Sequence, residues 1–127
     1  MTEYRRPVLE HGEARHQPRP GQTVAMIVRI SKGTFSPNRF TDAEHALAAS
    51  EAALRDALQQ MPGLIHYYVA IDRHAGQLTN TSIWDSLEHA TAMSTLAPML
   101  AQRPVLEAAG VTFEPITNHD TLWTITP

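Results

Sequence analysis

The chain has 127 residues, no cysteine and a formal net charge of −3, with 43% hydrophobic and 18% charged residues. This length and composition predict one globular domain, and the absence of cysteine excludes disulfides, thiolate metal sites and a cysteine nucleophile. The acidic balance argues against general nucleic-acid binding, and the lack of a long apolar run argues against a membrane span or a secretory signal. We therefore expect a cytoplasmic protein.

Residues 1–22 are rich in proline and arginine and show no sustained hydrophobic period. We interpret them as an extended arm that precedes a domain at 23–127. The arm is either a flexible tail, because such a composition buries little apolar area, or a segment that packs on a neighbouring subunit through Tyr4, Val8 and Leu9.

The first predicted strand covers residues 23–30. Both of its faces are mainly apolar, so we expect both to be covered in the folded protein. We expect a second subunit to cover one of these two faces, namely the face that carries Ala25, Ile27 and Arg29. A loop with glycine and proline follows at 31–40.

A long helix is predicted from residue 41, because Thr41 and Glu44 have the spacing of a capping box, in which each residue satisfies a free amide of the first turn. Pro62 and Gly63 end it. Residues 64–72 and 78–84 are then rich in strand-forming types and flank a turn-like segment, so they predict a β-hairpin.

A second capping box at Asp85 and Glu88 predicts another helix, which Pro98 and Pro104 must kink or restart and which ends near Gly110. The last strand signals are the segments VTFEPI (111–116) and TLWTI (121–125). The element order is therefore β-α-β-β-α-β, with a broken second helix and one extra short strand.

That order predicts an α+β ferredoxin-like sandwich. A four-stranded sheet with both helices on one face leaves the other face bare, and an apolar face of several hundred Å² is rarely left in water. We therefore expect a homodimer in which the two sheets close into an α+β barrel.

The same order, together with SIWDSLEHA (82–90) and MPGLIHYYVAID (61–72), resembles the antibiotic biosynthesis monooxygenase family over residues 23–125. The resemblance implies the dimeric α+β barrel fold. The superfamily includes cofactor-free quinone-forming oxygenases and haem-degrading enzymes, so the resemblance alone does not name the reaction.

Two branches of that superfamily give different expectations for this chain. In the cofactor-free oxygenases of polycyclic phenols, an Asn and a Trp share the third strand and an Arg follows near the end of the second helix, as Asn80, Trp84 and Arg103 do here. In the haem-degrading branch a His on the second helix binds iron, at a place where this chain has Ser94, while His89 is nearer to the strand. The resemblance therefore implies an enzyme without a cofactor and disfavours haem degradation.

Chemistry without a cofactor requires the protein to form and hold an electron-rich phenolate, which then reacts with oxygen. Hydrogen-bond donors aimed at the anion in a dry cavity would do this, and a histidine that titrates near neutrality would serve as the base. The candidate catalytic residues are Asn80, Trp84, Arg103 and His66, and the candidate substrate-binding residues are Tyr68 and Ser82.

Each candidate also has a purely structural interpretation. Trp84 is then a core aromatic, Asn80 a surface residue of a strand, Arg103 a cation at a helix end, and His66 an exposed or hydrogen-bonded histidine. No pair of histidines has a compact ligand spacing with carboxylates, so we expect no metal site.

The sequence thus predicts a homodimeric, cofactor-independent monooxygenase-like enzyme that uses molecular oxygen on a phenolic or quinol-type aromatic molecule. The alternative is a non-catalytic ligand-binding or structural dimer of the same fold. An enclosed cavity reached by Asn80, Trp84 and Arg103 would favour the enzyme, and a filled core with Asn80 in solvent would favour the alternative.

Overall fold

The computed structural model describes residues 26–127, so the predicted arm at 1–22 lies outside the described residues. The strands are β1 (Ile27–Thr34), β2 (Leu64–Asp72), β3 (Gln77–Trp84), β4 (Thr112–Phe113) and β5 (Thr117–Asp120), and the α-helices are α1 (Phe40–Gln59), α2 (Leu87–Thr91) and α3 (Ala97–Ala108). No helix of the described part of the chain is long and apolar enough to cross a membrane.

The strands form one antiparallel sheet in the order β2-β3-β1-β4, and β5 also pairs with β1. The two central strands are therefore β3 and β1, which are not consecutive in the chain. This order is that of the ferredoxin-like fold. The predicted α+β fold class is confirmed.

Two buried apolar clusters join the helices to one face of the sheet, which we call the inner face. Both clusters combine strand residues with helix residues, because alternate residues of a strand point to the same side. The first contains Ile27, Leu54, Leu58, Trp84, Ala90 and Met93, and the second contains Phe35, Ala43, Leu78, Leu106 and Val111.

The face that we expected a second subunit to cover is in fact the inner face, which the helices cover. We expected a second subunit to cover the face of Ile27, but Ile27 packs under α1 and beside Trp84 in the first cluster. Ala25, the other residue named for that face, lies outside the described residues. The face without helices, which we call the outer face, carries Val28 and Ile30 of β1.

The ends of the sheet also differ from the prediction. Strand β1 continues to Thr34 because residues 31–34 pair with the first half of β3. The predicted strand at 121–125 is absent, and β5 precedes it because residues 117–120 pair with the first half of β1. In both cases the pairing partner, rather than strand propensity, decides where the strand lies.

Neither capping box forms as predicted. Helix α1 begins at Phe40 after a short 3-10 helix, and its N-cap residue makes no side-chain hydrogen bond. At α2 the N-cap is Ser86, whose Oγ accepts a hydrogen bond from the backbone amide of His89 at 3.1 Å. Asp85 instead contacts the His89 ring, with 2.7 Å between Oδ1 and Nδ1.

The break in the second helix is confirmed at Pro98 only, because Pro104 lies inside α3, which continues past it. A 3-10 segment at Ala92–Thr95 separates α2 from α3, and Pro98 lies in the first turn of α3, where its missing amide hydrogen is not needed. Because of this break, Met93 and Met99 approach the inner face of the sheet from two separate helical segments.

Candidate functional site

Four polar side chains occupy one row across the inner face of the sheet. Asn118 of β5, Arg29 of β1, Ser82 of β3 and Tyr67 of β2 are successive partners in the strand register. Partners on neighbouring antiparallel strands project to the same face. Asn80 lies two residues from Ser82 and shares that face, so β3 presents both to the helices.

A cavity of about 280 Å³, which we call the inner cavity, lies between this face and the α2–α3 region. Its floor contains Arg29, Asn80 and Ser82, and its walls include Met93, Met99 and Phe113. It is thus a mainly apolar space with a few polar groups that converge on it, which is the usual composition of a small-molecule site.

Two hydrogen bonds pair an N–H donor with a hydroxyl on the inner face. The indole Nε1 of Trp84 donates to Ser82 Oγ at 2.8 Å, and Asn80 Nδ2 donates to the Tyr67 hydroxyl. Each hydroxyl donates its own proton towards a methionine sulfur. Met93 Sδ lies 4.0 Å from Ser82 Oγ, and Met99 Sδ lies 4.0 Å from the Tyr67 hydroxyl oxygen. Because a thioether is a weak acceptor, the Ser82 hydroxyl, which lines the inner cavity, gains by donating to a ligand oxygen.

The floor of the inner cavity holds a buried cation. Arg29 is only 7% exposed, and its Nη1 donates to Asn118 Oδ1 at 3.1 Å. Burial lowers the pKa of Arg29, and the nearby Tyr67 opposes that shift. The group nonetheless stays charged, because arginine does not lose its proton in proteins.

Burial also raises the pKa of Tyr67, against the smaller opposing effects of the Asn80 hydrogen bond and of Arg29. The phenol is therefore neutral at physiological pH. Tyr67 is thus a hydrogen-bond donor rather than a base at this site.

The structure brings three of the six sequence-predicted residues together. Asn80 and Ser82 line the floor of the inner cavity, and Arg103 lies at its edge. Arg103 is exposed, with Nε donating to Glu107 Oε2 at 2.9 Å and its guanidinium 5.3 Å from the centre of the Phe113 ring. The carboxylate of Glu107 thus already compensates its charge.

The other three are placed differently from the prediction. Trp84 is fully buried and its N–H is used by Ser82, so it has no direct path to a ligand. His66 and Tyr68 stack on each other with 5.7 Å between ring centres, on the outer face. The β-bulge between Leu64 and His66 changes the phase of β2, so that Tyr67 and not its neighbours points inward.

Arg29 and Tyr67 are the site residues that the sequence did not single out. The signal that could have identified Arg29 is a charged residue in an otherwise apolar strand, because arginine is rarely buried unless it has a partner. No comparable signal distinguishes Tyr67 from the adjacent Tyr68, since only the bulge decides which of them faces inward.

Ser94 and His89, the two residues considered for haem binding, lie in different places. Ser94 lines the inner cavity, while His89 contacts Asp85 at the start of α2. Within residues 26–127 no three histidine, aspartate or glutamate side chains are grouped so that they could hold a metal ion.

A second, larger groove of about 480 Å³ lies between α1 and the edge strand β2. Its walls combine aliphatic side chains with the polar and charged side chains of the exposed side of α1, and Tyr67 also lines it. We place the candidate site in the inner cavity despite its smaller volume, because that is where buried donors converge.

Comparisons with known proteins give matches by structure alone. No family model and no curated protein matches the chain. SnoaB, a cofactor-independent oxygenase from Streptomyces nogalater, is 15% identical with a TM-score of 0.59, over 80% of this chain and 98% of that one.

Two proposed antibiotic biosynthesis monooxygenases are similar to the same extent. The protein from Deinococcus radiodurans is 21% identical with a TM-score of 0.61, over 80% of this chain and 97% of that one. The protein from Bordetella bronchiseptica is 18% identical with a TM-score of 0.56, over 80% and 99%. At these identities the likeness concerns the fold, and this chain has the fold of the antibiotic biosynthesis monooxygenase structures.

Proposed function

We propose that this protein is a cofactor-independent monooxygenase-like enzyme that oxidises a phenolic or quinol-type aromatic molecule with molecular oxygen. The observation that carries the proposal is the inner cavity, with Asn80 and Ser82 on its floor and methionine side chains on its walls. SnoaB, which has the same fold, is a cofactor-independent oxygenase. The volume of about 280 Å³ is near the lower end of ligand pockets, which suits a compact aromatic molecule.

The proposed reaction needs no external reductant. An anthrone-like substrate ionises, transfers an electron to oxygen and recombines with the resulting superoxide at its CH₂ carbon. One oxygen atom becomes the new carbonyl, and the other leaves as water with the two hydrogens of that carbon. The protein contributes by favouring the anion and excluding bulk water, which strengthens each donor in the cavity.

His66 was the expected base for removing the substrate proton, but the structure does not place it at the inner cavity. His66 lies on the outer face and does not reach the inner cavity. In this proposal the donors on the floor of the cavity lower the pKa of the substrate instead, and the proton passes to water at the cavity mouth.

Replacement of Asn80 tests the proposal. We expect Asn80→Ala to lower turnover by about 10²–10³-fold, the usual loss for one donor to a developing anion. Its free energy of unfolding should change by only about 1 kcal/mol, since one hydrogen bond to Tyr67 is lost. The assay is oxygen uptake with anthrone-like, naphthol-like and quinol compounds.

Thr81→Ala is the matched control, because Thr81 is the next residue of β3 and points to the outer face. It should leave turnover unchanged. If Asn80→Ala is as active as an active wild type, the chemistry does not involve the floor of the inner cavity. A wild type that is inactive on the whole panel would favour the alternative of a non-catalytic ligand-binding or structural protein.

We also propose that the protein is a homodimer whose interface is the outer face of the sheet. That face carries no helix, and its large side chain Tyr68 is 53% exposed. Val28, Ile30 and Ile83 lie beside it on the central strands. An apolar sheet face of this kind is a usual site of protein association.

A further inference from the structure

Arg29 is a buried cation that faces the inner cavity and has no negative partner in the part of the chain that the structure describes. It is 7% exposed, and among residues 26–127 it forms no ion pair. Its hydrogen bond to the neutral side-chain oxygen of Asn118 offsets only part of the cost of removing a guanidinium from water. Such a group gains more from a negatively charged ligand than from water or a neutral ligand.

The Ser82 hydroxyl borders the same part of the cavity. Ser82 and Arg29 are partners in the register of β3 and β1, which places their side chains side by side on the inner face. The indole of Trp84 donates to Ser82 Oγ, so the hydroxyl proton is directed elsewhere, and Met93 Sδ at 4.0 Å is a weak acceptor for it. The hydroxyl thus has a proton to offer next to a fixed positive charge.

The other charged groups that line the inner cavity do not compensate Arg29. They are Arg103, which pairs with Glu107, and Glu114, whose carboxylate forms no ion pair with Arg29. Tyr67 is neutral for the reason given above. At its floor the cavity therefore combines a buried cation that has no ion pair among residues 26–127 with a hydroxyl proton whose acceptor is a weak one.

We propose that the inner cavity takes its ligand as an oxyanion, with the anionic oxygen held between the Arg29 guanidinium and the Ser82 hydroxyl. Trp84 is then a positioning residue, since its N–H fixes which way the Ser82 proton points. The identification of the oxyanion as a phenolate rests on the proposed function, because a carboxylate would present the same chemistry. Ionisation of the substrate then follows from the positive charge at the floor, without a protein base.

The experiment measures binding in the absence of oxygen, so that it does not depend on turnover. The full-length chain is titrated with 4-nitrophenol over a pH series, and the visible absorbance of the anion reports how much bound ligand is ionised. We expect bound 4-nitrophenol to ionise at least one pH unit below the free compound, which corresponds to anion binding at least about tenfold tighter than binding of the neutral form. The neutral 4-nitroanisole and the carboxylate 4-nitrobenzoate are titrated in parallel.

Variants assign that preference to residues. Arg29→Gln should abolish the shift and weaken anion binding by about 10–100-fold, the usual range for a charged hydrogen bond, while Arg29→Lys keeps the charge and should retain part of it. Ser82→Ala should lose about tenfold, and Trp84→Phe should lose less than Ser82→Ala.

Arg55→Gln, on the exposed side of α1, and Thr81→Ala should bind as the wild type does. Arg103→Gln removes the other cation that borders the cavity and should keep the preference for the anion. Circular dichroism verifies the fold of each variant, and if Arg29→Gln does not fold, Arg29→Lys and Ser82→Ala carry the test.

Arg29-dependent binding of 4-nitrophenolate supports the proposal. Arg29-dependent binding of 4-nitrobenzoate alone also supports an oxyanion site, and it then removes the phenolate from the proposed function. Equal binding of neutral and anionic probes, an anion preference that Arg103→Gln abolishes, or no binding of any probe overturns the inference. Loss of oxygen uptake with intact oxyanion binding would overturn the monooxygenase proposal alone.

Discussion

The buried polar side chains of the inner face satisfy one another, once within β3 and twice between neighbouring strands. Trp84 donates to Ser82, Asn80 to Tyr67 and Arg29 to Asn118. Among the buried side-chain polar atoms of residues 26–127, only Thr121 Oγ1 is without a partner. Unsatisfied buried polar groups are expensive, so this network is preorganised, and a ligand would meet donors that are already held in place.

Tyr67 gives this network a measurable dependence on pH. Burial raises its pKa above the ordinary value of 10.0, so the folded state holds the phenol proton more tightly than the unfolded state. The resulting stabilisation is fully present below the unfolded pKa and is lost as the pH rises from there through the folded pKa. We expect the wild type to lose more stability than Tyr67→Phe between about pH 9 and pH 11.

Urea unfolding at a series of pH values measures this difference. At pH 7 the Tyr67→Phe variant should be destabilised by about 1 kcal/mol, because Asn80 loses its acceptor. The two curves should then converge at alkaline pH. Parallel curves would show that the hydroxyl of Tyr67 is not buried in solution.

At the scale of elements, the break between α2 and α3 creates the inner cavity. A continuous helix would present one unbroken ridge of side chains to the sheet, whereas the 3-10 segment Ala92–Thr95 and the restart at Pro98 separate Met93 from Met99. Both methionines then border the space above Ser82 and Asn80. Helix α1 has the opposite role, because its leucines close the other part of the core.

Matched leucine truncations test this division of roles. Leu54 of α1 is 5% exposed and packs in the first cluster, while Leu100 of α3 is 56% exposed. Leu54→Ala should destabilise the protein by about 2–5 kcal/mol, because it leaves a cavity in the core. Leu100→Ala should change stability by about 0.5 kcal/mol or less. Thermal and urea unfolding measure both, and equal losses would contradict the packing described for α1.

At the scale of the whole molecule, the sheet has one face under helices and one face without them. The packed face holds the candidate site, and the outer face holds the stacked pair His66 and Tyr68. In our proposals the two faces have different roles. The inner cavity binds the ligand, and the outer face meets a second copy of the chain.

The oligomeric state in solution tests the use of the outer face. We expect a dimer at micromolar concentration, with a total buried area above about 1,500 Å². Tyr68→Asp places a charge at the centre of the proposed interface and should give a monomer, whereas Ala52→Asp on the exposed side of α1 should remain dimeric. Analytical ultracentrifugation measures all three proteins, and a monomeric wild type would contradict the proposal.

The sequence by itself determined the order of the elements, the hairpin of β2 and β3, the interrupted second helix and the shared face of Asn80, Ser82 and Trp84. These features depend on short-range periodicity and on proline and glycine, which act through local geometry. They were sufficient to predict the ferredoxin-like fold. They left open whether the polar residues of β3 face the helices or solvent.

Only the tertiary structure decided which residues form the site. Arg29 meets Asn118 across 89 positions of sequence, and the bulge at the start of β2 turns Tyr67 inward and His66 outward. The helices bury Trp84 completely, so its N–H meets Ser82 and not a ligand. The environment of a side chain depends on partners that are distant in the chain, and local patterns carry no information about them.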